Sequence, residues 1–132
     1  MGRRLILDTG ILIAYERAKI DRSLFDNDEL AIAAVTVAEF RVGIELADTP
    51  ERAAARSRRL DLLLGDIEVL DYTQRTAAYH AQLLAHIRQT GTPRGAHDLI
   101  IASHAAETAR TIVSLDTKAR FGQLPGVASI TP

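Results

Sequence analysis

The chain has no cysteine. That excludes a disulfide framework, a thiolate zinc site and a cysteine nucleophile. It has little aromatic residue, 5%, so aliphatic side chains and alanine must fill the core. No apolar run reaches about 18 residues, and none is expected to span a membrane. The opening stretch MGRRLILD meets an acid at Asp8 before any leader-like apolar segment develops, so a cytoplasmic protein is expected. There is no low-complexity tract, internal repeat or linker. Gly91–Gly95 is not a phosphate-cradling loop, because it lacks the strand–GxGxxG–helix context. Charge of neither sign dominates: 16 bases face 17 acids, net −1, which is not the balance of a nonspecific nucleic-acid binder.

What is present is a hydrophobic fraction of 47% in 132 residues, enough for one folded domain spanning 1–132. Apolar runs alternate with helical patterns. Strands are expected at Arg4–Asp8, Glu29–Ala34, Asp66–Tyr72 and Thr111–Leu115, with an edge strand at Val127–Ile130. Helices are expected at Ile11–Arg17, Asp21–Asn27, Thr36–Ala47, Glu51–Leu64, from Thr73 to about Thr90, and from Ala96 or His97 to Arg110. Ala77, Leu84 and Ile87 should face inward on the Thr73 helix. Such alternation implies right-handed crossovers and a three-layer α/β/α fold around a mainly parallel sheet of four to five strands.

Four acids sit where a strand hands over to a helix or where an apolar helix opens: Asp8 in LILDTG, Glu39 in VTVAEF, Asp98 in GAHDLIIASHA and Asp116 in TIVSLDT. Each has a structural explanation of its own. Asp8 can cap a helix. Thr36-Val-Ala-Glu39 has the spacing of a capping box. Asp98 suits the positive end of a helix dipole, and Asp116 can start a turn through Thr117–Phe121. Those explanations are independent of one another. A shared cation explains all four together, since ligands of open α/β sheets gather outside the carboxyl ends of the strands and clustered carboxylates repel one another unless a cation lies between them. With these four acids neutralised, 16 bases face 13 acids. Arginine outnumbers lysine 14 to 2, which suits phosphate contact.

The ordered set Asp8-Thr9, Thr36-Val-Ala-Glu39, Asp98-Leu-Ile-Ile-Ala102, Ser114-Leu-Asp116, Phe121 and Leu124-Pro125-Gly126-Val127 resembles the PIN-domain ribonucleases. More narrowly, it is similar to the toxin subunits of VapBC-type toxin–antitoxin pairs, over nearly the whole chain. The resemblance implies that Asp8, Glu39, Asp98 and Asp116 form the catalytic quartet, supported by the hydroxyls of Thr9 and Ser114. It implies a Mg²⁺ (or Mn²⁺) cofactor held by Asp8, Asp98 and Asp116, with Glu39 holding or deprotonating the attacking water. The substrate it implies is single-stranded or looped RNA, cut to a 5′-phosphate and a 3′-hydroxyl, which inhibits translation and growth. It further implies a homodimer and a small VapB-type antitoxin, which could dock near Ile11–Tyr15 and the helix Thr36–Leu46.

The family often has a further acid about three residues after the fourth; here the stretch is Thr117-Lys118-Ala119-Arg120, so a second metal position is in doubt. Arg94, Lys118 and Arg120 are candidates for gripping the RNA backbone. Among the histidines, His97 beside Asp98 is the one placed to donate to the acids. Competing readings are a catalytically weak PIN domain that binds RNA or a partner, a phospho-receiver domain and a haloacid-dehalogenase-like phosphatase. The receiver needs paired acids after the first strand, where Arg3 and Arg4 precede it instead. The phosphatase needs an aspartate two residues after the first, where Gly10 stands.

Overall fold

The computed structural model describes residues 2–116 and 118–132; Thr117, in the turn expected after Asp116, lies outside them. Five strands form one sheet in the order β3-β2-β1-β4-β5, and every pairing is parallel. They are β1 (Arg4–Leu7), β2 (Glu29–Ala33), β3 (Glu68–Leu70), β4 (Thr111–Val113) and β5 (Ala128–Ile130). The helices are α1 (Thr9–Glu16), α2 (Ala34–Glu45), α3 (Pro50–Leu64), α4 (Gln74–Thr90) and α5 (Ala96–Thr108).

Alternation along the strands builds two cores. Leu5, Leu7, Ile32 and Val113 face one way and pack with Ile11 and Leu12 of α1, Val37 and Phe40 of α2 and Leu63 of α3. Ile6, Ala31, Ala33 and Ile112 face the other way and pack with Leu83 of α4 and Leu99, Ala102 and Ala105 of α5. Leu5, Ile6 and Leu7 are fully buried, each worth about 1.5–3 kcal/mol. A sheet covered on both faces requires such near-continuous apolar strands, and the three-layer expectation holds. Among the described residues, no helix is long and apolar enough to cross a membrane.

Several element ends follow from local chemistry. Thr49 caps α3, with Pro50 in the first helical turn. Thr73 caps α4, and Gly91, at φ 64, closes it in the left-handed conformation that a residue without Cβ adopts freely. Other expectations are corrected. The segment Asp21–Asn27 forms only a 3-10 turn, Arg22–Phe25, capped by Asp21. The third strand pairs over Glu68–Leu70 rather than Asp66–Tyr72. On α4, Leu84 and Ile87 pack inward against the core as expected, while Leu83 is buried more deeply than either and Ala77 is partly buried. The helix expected from Thr36 begins at Ala34, directly after β2, with Ala33 at its cap position. Thr36 therefore lies inside the first turn, fully buried, and does not cap.

The strand order reverses direction at β1: the chain builds outward through β2 and β3, then returns to β4 on the opposite side. The crevice above the carboxyl ends of β1 and β4 is thus the topological switch point, where open α/β sheets bind ligands.

Candidate metal centre

Asp8 follows β1 and caps α1. Its Oδ1 accepts the Ile11 N–H at 2.8 Å, and its Oδ2 accepts a short hydrogen bond from the Ser114 hydroxyl. The Asp8 amide in turn donates to the Val113 carbonyl at 3.2 Å, which ties the strand end to β4. The Ser114 oxygen also accepts the Asp116 N–H at 2.9 Å, and Asp116 Oδ1 accepts the Lys118 N–H at 2.9 Å. One hydroxyl therefore links the first acid to the fourth.

Glu39, in the second turn of α2, points to the same crevice. Thr9 donates its hydroxyl to Glu39 Oε1 at 2.9 Å, and His97 Nδ1 lies 3.1 Å from Oε2. The carboxylate is thus held from α1 and α5, not by the capping box its sequence allows. Asp98 lies in the first turn of α5, whose cap residue is Gly95. A Cβ on Gly95 would stand 3.2 Å from Asp98 Oδ2, so the glycine leaves room for that carboxylate at the helix mouth.

Together these residues line a cleft of about 410 Å³, bordered by Asp8, Thr9, Gly10, Glu39, His97, Asp98, Ile101, Leu115 and Asp116. All four acids named from the sequence border it, Thr9 does so beside them, and Ser114 supports it from beneath. Asp8 is buried, while Asp116 is exposed at the mouth. The electrostatics match a crowd of like charges. Burial, first, raises the Asp8 carboxyl above the ordinary range, and Asp116 and Glu39 add to this; the hydrogen bonds from Ser114 and Ile11 oppose it. Burial likewise raises Asp98, followed by the charges of Asp116, Asp8 and Glu39, with His97 opposing.

An all-oxygen carboxylate set with no thiolate suits a hard cation such as Mg²⁺ or Mn²⁺. A cation would reverse the repulsion that raises Asp8 and Asp98. Among the described residues, no group of three or more His, Asp or Glu side chains is set to hold an ion directly. Mg²⁺ keeps several waters in its shell and takes only part of its ligands from protein carboxylates.

The candidate RNA contacts divide. Arg94 is committed to the protein itself: Nε donates to the Ala119 carbonyl at 2.8 Å and an Nη to the Thr92 carbonyl at 2.7 Å. The guanidinium thus tethers the segment before α5 to the segment after Asp116, a bond for which its sequence context offered no signal. Lys118 is exposed, and Arg120 is exposed on the far side of Asp116, in a smaller cleft the two share. His97 contacts Glu39, as its position beside Asp98 suggested. His104 is buried in α5 with Nδ1 unpartnered, and His80 accepts or donates a 2.7 Å bond with the Tyr72 hydroxyl; neither borders the acidic cleft.

A larger groove of about 1050 Å³ runs between α1, α2 and α3. Its floor includes Tyr15, Phe40, Ile44 and Leu63, and arginines 17, 22, 56 and 59 stand along it. Volume alone does not make it the reactive site, because the convergent carboxylates lie in the smaller cleft. Glu39 borders both.

Known proteins resemble this chain over most of its length. A family model described as "PIN domain" matches residues 5–126. Ribonuclease VapC5 of Mycobacterium tuberculosis is 34% identical over 126 residues, 95% of this chain and 90% of that protein. Ribonuclease VapC2 of Rickettsia felis is 30% identical over 129 residues, 92% of each. Among solved structures, VapBC2 from Rickettsia felis bound to a DNA fragment from their promoter superposes with a TM-score of 0.82 at 25% identity, covering 97% of this chain and 98% of that one.

Proposed function

The chain belongs to the PIN-domain family, in its VapC group, and on that footing we propose that it is a metal-dependent endoribonuclease, the toxin of a VapBC-type toxin–antitoxin pair. The observation that carries this reading is the convergence of Asp8, Glu39, Asp98 and Asp116 on one cleft at the switch point of the sheet. Asp8, Asp98 and Asp116 would hold Mg²⁺ or Mn²⁺. When bound, such an ion acidifies water and offsets the charge that builds on a phosphodiester.

The chain's own groups do the rest. Thr9 and His97 hold the two oxygens of Glu39, which keeps the carboxylate aimed at the cleft as the group that takes a proton from the attacking water. Ser114 fixes one Asp8 oxygen and the amide of Asp116, so the deepest and the outermost acid keep a constant relation. Attack by water on phosphorus with departure of the 3′ oxygen leaves a 5′-phosphate and a 3′-hydroxyl. Lys118 and Arg120, exposed beside Asp116, are positioned to meet the RNA backbone. An RNA substrate implies a cytoplasmic site of action, and cutting it would halt translation and growth.

The groove between α1, α2 and α3 is the seat we assign to the antitoxin, in a homodimer of this chain. Its apolar floor fits an amphipathic segment. Leu62 stands 77% exposed at its edge. Two experiments test the reading. Purified protein should cut RNA with Mg²⁺ or Mn²⁺, lose that activity in EDTA, and lose it again as Asp98→Asn; cleavage that persists in EDTA defeats the metal mechanism. Leu62→Arg should abolish co-purification with the antitoxin while leaving cleavage intact, and retention of the complex would move the docking site elsewhere.

A further inference from the structure

Arg94 stands one residue before the cap of α5, on the segment that delivers Asp98. Its Nε bonds the carbonyl of Ala119, on the segment that follows Asp116. The same guanidinium bonds the Thr92 carbonyl at 2.7 Å and the Pro93 carbonyl at 3.4 Å, which fixes the fork on its own side. Ala119 is itself anchored, buried in the core. Between Ala119 and β4, short bonds run from Lys118 N–H to Asp116 and from Asp116 N–H to Ser114. The tether thus joins two loops that carry two mutually repelling carboxylates.

We propose that Arg94 is a positioning residue, which holds the Asp116 segment against the mouth of α5 so that Asp98 and Asp116 are preorganised for the cation. This rests on the metal-dependent reading above. Like charges drive the two loops apart in the absence of an ion, and a site that had to gather them during binding would bind more weakly and hold its substrate less accurately. The planar guanidinium is suited to span carbonyls on two segments at once, whereas a lysine offers a single point charge. Arg94 does not touch substrate in this role.

The test compares the parent with Arg94→Ala and Arg94→Lys. Cleavage should fall about 10- to 100-fold in kcat in the alanine variant, with KM for RNA nearly unchanged and a higher Mn²⁺ concentration needed for half-maximal rate. Added guanidinium at low millimolar concentration should restore part of the rate to Arg94→Ala but not to Arg94→Lys. A rise in KM with unchanged Mn²⁺ dependence would identify Arg94 as an RNA contact and overturn the proposal. Amide exchange in metal-free protein supplies an arm independent of catalysis: the Asp116 and Lys118 amides should exchange faster in both variants. If the parent neither cuts RNA nor binds Mn²⁺, the ribonuclease reading fails, and the exchange arm still decides the tether. Unchanged exchange at both amides refutes it. Should Arg94→Ala not fold, Arg94→Lys carries every comparison except rescue.

Discussion

Replacing Asp8 separates its structural from its chemical role. The side chain caps α1 through Ile11 N–H and accepts the Ser114 hydroxyl. Asparagine caps as well as aspartate does. In Asp8→Asn the amide oxygen can keep the Ile11 bond and the NH₂ group can donate to the Ser114 oxygen, so the cap survives and only the Ser114 hydroxyl proton must find another acceptor. The removal of a buried charge among other acids should offset any remaining cost, because burial and the charges of Asp116 and Glu39 disfavour the ionised form. Asp8→Ala also removes the charge but loses the cap, about 1 kcal/mol, and leaves the buried Ser114 side chain with no bond of either direction to position 8, roughly another 1 kcal/mol. The alanine variant should therefore melt roughly 6–8 °C below the asparagine variant. Both should lose about 100-fold or more in RNA cleavage, the scale of removing one element from a preorganised electrostatic site. Thermal unfolding in EDTA and in Mn²⁺, beside a cleavage assay, measures all of this. Mn²⁺ should raise the parent's Tm and leave that of Asp8→Asn unmoved. Equal melting of the two variants would refute the capping argument, and wild-type cleavage by Asp8→Asn would refute the chemistry.

Other outcomes follow from the same geometry. Asp8 and Asp98 are both raised above the ordinary carboxylate range in the folded protein, so the folded state binds protons more tightly than the unfolded chain. Relative to an Asp8→Asn/Asp98→Asn double variant, the parent's metal-free stability should then fall as pH rises from the ordinary carboxylate range through the folded values, and Mn²⁺ should flatten that difference; burial lowers His80 and His104, which pulls both proteins the other way, so denaturant titrations from pH 4 to 7 compare the two, and equal slopes contradict the assignment. Ser114→Ala removes the link between Asp8 and Asp116 and should lower cleavage about 10- to 100-fold, as loss of a ligand-orienting bond does; an unchanged rate would mean the link is dispensable. Gly95→Ala places a methyl 3.2 Å from Asp98 Oδ2 at a backbone φ of −60 that alanine accepts. Cleavage should drop more than stability does, and a parallel fall of both would show that the methyl disturbs the helix rather than the carboxylate.

The strands were legible because a doubly covered sheet forces apolar runs, and the turns at Thr49-Pro50 and Gly91 because single residues determine them. Strand ends were not, since Asp66, Asp71 and Leu115 continue the β pattern in sequence but find no partner strand. Glu39 was the hardest acid to assign. Its spacing from Thr36 matches a capping box, and only the absence of any loop between β2 and α2 removes Thr36 from the cap. The convergence of the four acids could be inferred from their shared position in the topology. The partners that hold them could not: Thr9 bonding Glu39 spans 30 residues and Ser114 bonding Asp8 spans 106. The tether from Arg94 to Ala119 was not legible either, because a sequence shows that an arginine is near a site but not which neighbouring carbonyls it bonds.

The span from Asp8 to Ser114 also governs when the cleft can exist. β1 lies at the centre of the sheet and pairs on one flank with β4, which the ribosome makes after the intervening strands and helices. A chain truncated before Thr111 lacks Ser114 and Asp116, leaves Asp8 without the Ser114 bond, and cannot complete the pocket. Contacts so distant along the polymer form slowly, so β1 waits for its second neighbour until β4 has been made. Such an order of assembly would keep a nuclease dormant beside the machinery that produces it until the segment through Asp116 has been made.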